Sequence, residues 1–314
     1  MRPERTLLSI VTPCYNEEDN VDELYKRVKS AIADQTKFDF ELIFIDNDSQ
    51  DGTVAKLKML AATDPMVKII VNTRNFGHIR SPYYGILQSS GEATIYLASD
   101  LQDPPEIIPE FIRCWEEGYK LVMAVKPVSK GVAWVHALRK TYYRFLDGIS
   151  DITLVADATG FGLYDREVLD HLRKIDDPYP FLRGLICELG YEIKTIPFEQ
   201  PRRLRGISKN NLYTLYDIAM LGIISHSKLP IRIAAFTGFA LGIISLLVAS
   251  VYTVLKLLFW DSFPLGMAPV VIGLFFLFGM QLMFIGILGE YIGSIHSYLQ
   301  RRPVVVEKER INFD

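Results

Sequence analysis

Four short polar segments carry the side chains able to do chemistry in this chain, and three of them directly follow apolar runs. The first is Thr12-Pro13-Cys14-Tyr15-Asn16-Glu17-Glu18. A dinucleotide-binding turn needs glycines at such a place, so that the backbone can approach a pyrophosphate, and no GxGxxG occurs there. An aromatic face, an amide and carboxylates suit a nucleobase and ribose better than a diphosphate. The same residues also suit a helix N-terminus, with Asn16 as cap and the acidic groups favoured by the macrodipole. The second segment is Asp46-Asn47-Asp48-Ser49-Gln50-Asp51-Gly52-Thr53. A turn running into a capped helix accounts for Asp51 and Gly52 but not for Asp46, which ends the apolar run. The third, Ala98-Ser99-Asp100-Leu101-Gln102-Asp103-Pro104-Pro105-Glu106, places Asp100 and Gln102 on one side by alternation, and its Pro-Pro pair starts a helix at Glu106. Oxygen ligands of this kind suit Mg2+ or Mn2+, which keep several waters and share substrate phosphates. The fourth, Arg202-Arg203-Leu204-Arg205-Gly206-Ile207-Ser208-Lys209, packs four cations into eight residues. Arginine forks match phosphate oxygens bidentately. The same stripe is also drawn to anionic headgroups, by roughly 1 kcal/mol per basic residue.

The elements that must position these segments are legible in the hydropathy pattern. Strand-like runs at Leu7 to Thr12, Glu41 to Ile45, Lys68 to Val71, Ala93 to Ala98 and Leu121 to Val125 alternate with helical patterns. Between the first two, Val21, Leu24, Tyr25, Val28 and Ile32 fall on one face of a helix expected over Glu18 to Ile32. Alternation of this kind predicts a Rossmann-like, mostly parallel α/β sheet with helices on both faces. Ligands of such sheets bind beyond the carboxyl ends of the strands, where the first three polar segments stand. Farther on, the pattern predicts a helix over Trp134 to Leu146, a polar turn at Asp151 to Thr159, and strands at Gly160 to Tyr164 and Glu192 to Phe198. A short strand at Val304 to Val306 and onward is expected to pair with a sheet edge, in this chain or a neighbour.

The hydrophobic fraction of 49% and mean hydropathy of +0.17 are high, and the excess sits near the C-terminus, where 233–255 and 262–289 carry no charge. Each run is long enough to cross a bilayer. They predict a hairpin of transmembrane helices over about 231–259 and 267–291, preceded by an amphipathic stretch within 210–230 that would lie in the interface. Lys228 and Arg232 precede the hairpin, Arg301 and Arg302 follow it, and the connecting turn has no Lys or Arg, so both ends are expected on the cytoplasmic side. Without ionisable groups inside the charge-free runs of the two spans, the hairpin reads as an anchor and not a transport path. Gly238, Gly242, Gly279 and Gly286 would let helices pack closely within or between protomers. A net charge of −3 argues against a nucleic-acid partner, which needs a broadly basic surface. Cys14, Cys114 and Cys187 are far apart and lack metal-ligand spacing, which predicts buried free thiols.

In order, Pro-x-Tyr-Asn-Glu, Asp-x-x-Ser-x-Asp-Gly-Thr and Asp-Leu-Gln-Asp-Pro-Pro-Glu, each after a strand, resemble the polyprenyl-phosphate glycosyltransferases of glycosyltransferase family 2. That group includes dolichol-phosphate mannose synthases and bactoprenol glucosyltransferases, and the likeness runs from residue 7 to about 291. It implies a GT-A fold over 1–209, the interfacial helix and hairpin described above, and a cytoplasmic tail over 293–314. Nucleotide-sugar binding is implied for Pro13, Tyr15, Asn16, Glu17 and Asp46, and metal binding (Mg2+ or Mn2+) for Asp100 and Gln102. The segment Ala156-Asp157-Ala158-Thr159-Gly160-Phe161-Gly162 is similar to the family's catalytic aspartate loop, which gives Asp157 that role. The basic loop, through Arg202, Arg203, Arg205, Ser208 and Lys209, is assigned mainly to the phosphate of the lipid acceptor. Two departures stand out: Asn47 replaces the usual second aspartate, and Ala98 the first of an Asp-x-Asp, so weaker or differently supported metal binding is expected. Lys126 and Lys130 stand where relatives tend to have arginines.

The activity so implied is inverting transfer of a sugar from a nucleoside-diphosphate sugar, with UDP-glucose preferred and GDP-mannose the alternative, to undecaprenyl phosphate. The expected setting is the inner or plasma membrane, in a homo-oligomer. A catalytically inactive, membrane-tethered nucleotide-sugar binder is the alternative of a different class.

Overall fold

The computed structural model describes residues 5–126, 155, 158–201, 229–259, 267–300 and 302–313. At the centre of the sheet lies β1 (Thr6–Cys14), whose Leu8, Ile10 and Val11 are fully buried, which explains why this strand is apolar on both faces. It pairs in parallel with β2 (Phe38–Asp46) on one side and β4 (Ala93–Tyr96) on the other, and β3 (Val67–Asn72) continues in parallel beyond β2. Helices α1 (Val21–Ile32) and α2 (Thr53–Thr63) carry the chain outward from β1 to β3, and α3 (Gly77–Leu87) then carries it back to the far side of β1. The strand order therefore reverses between β1 and β4. A crevice opens at such a switch point, because the chain leaves neighbouring strands in opposite directions.

A 3-10 turn (Pro105–Ile107), α4 (Ile108–Glu116) and β5 (Leu121–Val125) follow. Strand β6 (Ala158–Asp165) runs antiparallel between β4 and β5, then α5 (Arg166–Arg173), α6 (Leu182–Glu188) and β7 (Ile193–Pro197) complete that side. Among the described residues the order is β7-β5-β6-β4-β1-β2-β3-β8, where β8 (Glu307–Ile311) pairs antiparallel with β3. The expected α/β sheet is present, and two antiparallel strands make it mixed. The tail strand begins a few residues later than the apolar Val304 to Val306 suggested, and it closes the edge of its own sheet. Thr73 N–H donates to Val306 O at 3.0 Å, and Asn312 Nδ2 donates to Ala61 O at 2.9 Å and Val67 O at 2.8 Å.

Side chains alternate between two apolar layers. Leu8, Ile10, Leu42, Phe44 and Ile69 pack beneath α1, α2 and α4, whereas Val11, Ile43, Ile45 and Ile70 pack beneath α3 with Tyr83 and Ile86. Each fully buried Leu or Ile contributes on the order of 1.5–3 kcal/mol. Gly85 lets α3 seat closely: a Cβ there would lie 2.8 Å from Ile45 Cγ2 and 3.2 Å from Val11 Cγ1. This close seating delivers the N-terminus of α3 to the crevice. Helix α1 starts at Val21 and not Glu18, because Glu17 O accepts from the N–H groups of Asn20 (2.9 Å) and Val21 (3.1 Å) in a preceding turn.

Two long apolar helices follow the sheet domain, α7 (Leu229–Leu258) and α8 (Met267–Leu299), the second running past the expected end at Tyr291. Within α8, Phe276–Leu299 is long and apolar enough to cross a membrane, and Ile231–Ile244 in α7 is a shorter apolar stretch among the described residues. Large side chains on both are exposed, among them Phe236, Leu257 and Leu282. Gly238 faces Phe284 across the pair, its would-be Cβ 3.8 Å from Phe284 Cε2, whereas Gly242, Gly279 and Gly286 have open space within 4 Å. Among the described residues, only the first of the four glycines thus serves packing within the chain. The helix expected over Trp134 to Leu146, most of the 210–230 stretch and the turn at 260–266 lie outside the described residues.

Candidate active site

The carboxyl ends of β1, β2 and β4 hold three loops, and each contains a non-glycine residue in the left-handed region: Asn16 (φ 56°), Asp48 (φ 65°) and Leu101 (φ 60°). Asn and Asp adopt this conformation readily, but a leucine does so at a cost on the order of 1 kcal/mol. Burial of the Leu101 side chain offsets that cost and holds the loop that presents Asp100.

The first two loops are stitched to each other. Asn16 N–H donates to Ser49 Oγ (2.8 Å) while Asn16 Oδ1 accepts from Gln50 N–H (2.8 Å); Glu17 N–H donates to Thr53 Oγ1 (2.9 Å), and Gly52 N–H to Glu18 Oε2 (2.6 Å). Asn16 is therefore neither the cap of α1, a position taken by Asn20, nor a wall of the crevice. Its amide sets the spacing of two loops. Asp46 is fully buried at the end of β2, opposite Cys14 in register. One of its oxygens accepts from Ser49 N–H at 2.9 Å and the other, Oδ1, has no hydrogen-bond partner among the described residues. Burial pushes this carboxyl up from its ordinary pKa, against the pull of the Ser49 hydrogen bonds. Burial also opposes ionisation of Asp51, but donors from Thr53 and Glu18 outweigh it and hold that carboxyl low.

The crevice at the switch point has a volume of about 350 Å3. Pro13, Tyr15 and Glu17 line it from the β1 side, and Ala98, Ser99 and Asp100 from the β4 side. Of the residues the sequence singled out, Pro13, Tyr15, Glu17 and Asp100 thus converge on one space, while Asn16, Asp46 and Gln102 are not among its walls. Gln102 N–H donates to Asp100 Oδ1 at 3.1 Å, which ties the loop to the Asp100 carboxylate. Asp103, nearly fully buried, accepts from Ala98 N–H at 3.0 Å. Burial pushes its pKa up to about 6, with Asp100 adding and the Ala98 N–H and Lys126 opposing.

The opposite wall comes from the β3–α3 connection and the first turns of α3, which the sequence pattern did not single out: Asn75, then Gly77, His78, Ser81 and Pro82. Asn47 organises it. Asn47 Nδ2 donates to Asn75 Oδ1 (2.9 Å) and Gly77 O (3.2 Å), and its Oδ1 accepts from Asn72 Nδ2 (3.1 Å) and Phe76 N–H (2.8 Å). A carboxylate could accept the last two but not donate the first two, which gives a physical reason for an amide at this position. The signal in the sequence was the polar run Asn72-Thr73-Arg74-Asn75 after the third strand, at the same carboxyl edge as the other loops.

A model of glycosyl transferase family 2 matches residues 9–173, and so takes in all of these loops. The chain belongs to glycosyltransferase family 2. It is 35% identical to the uncharacterized glycosyltransferase YkcC of Bacillus subtilis (strain 168), over 95% of this chain and 92% of that one. To the SfII prophage-derived bactoprenol glucosyl transferase of Shigella flexneri it is 31% identical, over 96% of this chain and 97% of the other. Among solved structures, the mannosyltransferase PcManGT from Pyrobaculum calidifontis, in complex with GDP-Man and Mn2+, aligns with a TM-score of 0.47 at 15% identity, covering 96% of this chain and 89% of that one. The mixed sheet and its loop order are those of a GT-A glycosyltransferase.

A GT-A site of this family implies a divalent metal. Among the described residues no group of three His, Cys, Asp or Glu side chains gathers to hold one. Asp100 on the crevice wall nevertheless fits a hard cation bound by one or two carboxylates, waters and substrate phosphates. Asp157, Arg202, Arg203, Arg205, Ser208, Lys209 and Lys130 lie outside the described residues. The entrance to the strand that follows Asp157 is held by Arg183, whose Nη1 donates to Ala158 O at 2.9 Å.

Proposed function

We propose that this glycosyltransferase transfers a hexose from a nucleoside-diphosphate sugar, UDP-glucose in the preferred reading, to the phosphate of undecaprenyl phosphate at the membrane. The observation that carries the reading is the presence in one chain of a donor-sized crevice at the β1/β4 switch point and two apolar helices beyond it. Near full-length likeness to a bactoprenol glucosyl transferase supports both acceptor and sugar.

In this reading Pro13, Tyr15 and Glu17 hold the nucleoside, with Asn16 and Asp46 in the same two loops behind them. Asp100, supported by Gln102, would hold Mg2+ or Mn2+, which supplies charge neutralisation for the leaving diphosphate. A phosphate acceptor has its second pKa near 6 and is largely ionised at neutral pH. A strong base is therefore not needed, and Asp157 orients the acceptor. Arg202, Arg203, Arg205, Ser208 and Lys209 bind the acceptor phosphate. Direct displacement inverts the anomeric carbon. The two helices form a hairpin over about 231–259 and 267–291, with the interfacial stretch at 210–230, the domain at 1–209 and the 293–314 tail on the cytoplasmic face. Open glycine positions on α7 and α8 support packing between protomers of a homo-oligomer.

Transfer from radiolabelled UDP- and GDP-sugars to undecaprenyl phosphate, with Mg2+ or with EDTA, tests this. Metal-dependent labelled lipid from UDP-glucose, lost in Asp157→Asn and Arg205→Ala, is expected. Label from GDP-mannose instead would change the donor, and donor binding without transfer from any sugar would make the protein a nucleotide-sugar binder.

A further inference from the structure

Beside the crevice lies a second, smaller cavity of about 110 Å3. It opens between the N-terminal half of α3, the end of β4, the start of β6 and the Pro180–Arg183 segment that leads into α6. His78, Pro82 and Tyr96 line both spaces, so the two adjoin at these three side chains.

Three features make this a built space. Gly160, with φ 92°, is the β6 residue on its floor; a Cβ there would lie 3.7 Å from Tyr96 Cε1, and any longer side chain would enter the cavity. Arg183 fixes the rim by donating to Ala158 O and by lying over Phe181, its Cζ 5.9 Å from the ring centroid. Tyr96 keeps a neutral hydroxyl at any working pH, since burial raises its phenol far above the ordinary value.

We infer that this cavity is the subsite for the hexosyl group of the donor and that Phe181, Leu182 and Gly160 set which hexose fits. The inference rests on the donor reading above. A nucleoside-diphosphate sugar is a linear ligand longer than its nucleotide, and this cavity shares three wall residues with the crevice read as holding the nucleotide. A cavity of 110 Å3 on a scale where one water needs about 10–15 Å3 accommodates roughly seven to eleven water-sized groups, the size of a hexosyl unit. Its lining of flat apolar faces (Tyr96, Phe181, Pro180) with a few polar groups (His78, Arg183) is the mixture that small-ligand sites use to bind and orient. An acceptor phosphate enters from the opposite face of the anomeric carbon and has no need to share walls with the nucleotide.

Calorimetry on the full chain in detergent with UDP, GDP, UDP-glucose and GDP-mannose, for wild type, Leu182→Trp and Phe181→Ala, tests the assignment. Leu182→Trp fills the cavity and Phe181→Ala removes a face. For whichever base binds, both variants are expected to weaken the sugar-bearing form at least tenfold and to leave the bare nucleoside diphosphate within twofold. Equal weakening of both forms, or none of either, overturns the subsite. So does unchanged donor affinity with a raised KM for undecaprenyl phosphate, which would give the cavity to the acceptor. Failure of all four ligands to bind wild type sinks the donor reading, and the subsite with it.

Discussion

Replacing Asn47 with aspartate restores the residue that the family resemblance leads one to expect, and the structure forecasts that it harms the enzyme. Asn47 is only 6% exposed and uses both ends of its amide. The new carboxylate would keep the acceptor role toward Asn72 Nδ2 and Phe76 N–H but would set an oxygen against Asn75 Oδ1 and Gly77 O, where a donor now stands at 2.9 and 3.2 Å. Leaving a buried polar group without its partner costs about 1–3 kcal/mol, so two lost acceptor contacts place the penalty on the order of 2–6 kcal/mol. It falls on the 72–77 connection, which lines the crevice through Asn75 and Gly77. At about 1.4 kcal/mol per tenfold, the donor KM should rise more than tenfold in Asn47→Asp, with a lowered thermal midpoint. Protonation of the introduced carboxyl restores a donor, so the defect should shrink as the pH is lowered. Steady-state transfer kinetics against donor concentration, between about pH 5 and 8, measure this. An unchanged donor KM and midpoint, or tighter Mg2+ dependence with higher activity, would refute the reasoning and make position 47 a ligand site.

Four further outcomes are expected. Asp100→Asn should lower kcat/KM by about 10²-fold or more and shift the Mg2+ titration midpoint upward, because the wall at the β4 end loses its carboxylate; unchanged metal dependence would remove Asp100 from the metal site. Asp103 has a folded pKa of about 6 against an ordinary 3.8, so its neutral form is favoured on folding. Its contribution is fully present below about pH 3.8 and is lost as pH rises through 6, by on the order of 2–3 kcal/mol. Asp103→Asn can still accept from Ala98 N–H, so its thermal midpoint should exceed that of wild type above pH 6 and converge with it near pH 4. Asn312→Ala strips hydrogen bonds from Ala61 O and Val67 O and should destabilise the β3 edge by about 1–3 kcal/mol, read as lost hydrogen-exchange protection of β3 and β8. The Cys14 thiol, pushed well up by burial and by neighbouring Asp46, should resist alkylation in the folded protein and react on unfolding, as mass spectrometry of the labelled peptide would show.

Much of the fold was legible because its signals are local. Strands buried on both faces are continuously apolar, as in Leu42 to Ile45, and β5 matches its expected span residue for residue. Strand β4 stops at Tyr96, short of the expected Ala98, because Ala98 N–H is taken by the Asp103 carboxylate and is not available to a neighbouring strand. That capture is a contact between side chain and backbone that hydropathy does not encode. The antiparallel direction of β6 was equally hidden, since direction depends on how the chain returns after β5.

What the sequence alone determined was the kind of chemistry and its edge of the sheet: polar loops after β1, β2 and β4 hold the oxygen donors, and the apolar runs near the C-terminus form long helices. Composition and order are enough for this, because a loop's residues must follow its strand. Tertiary structure decided which of those residues share a space. Pro13, Tyr15, Glu17 and Asp100 face the crevice, Asn47 both lines it and ties down the connection after β3, and Asn16 is spent on Gln50. It also brought in His78, Tyr96, Phe181 and Arg183, distant in sequence and joined only because α3 crosses back over β1 and β6 inserts beside β4. The physical reason is that a polar side chain's role depends on whether a partner within about 3 Å already satisfies it, and partners tens of residues away become neighbours only on folding.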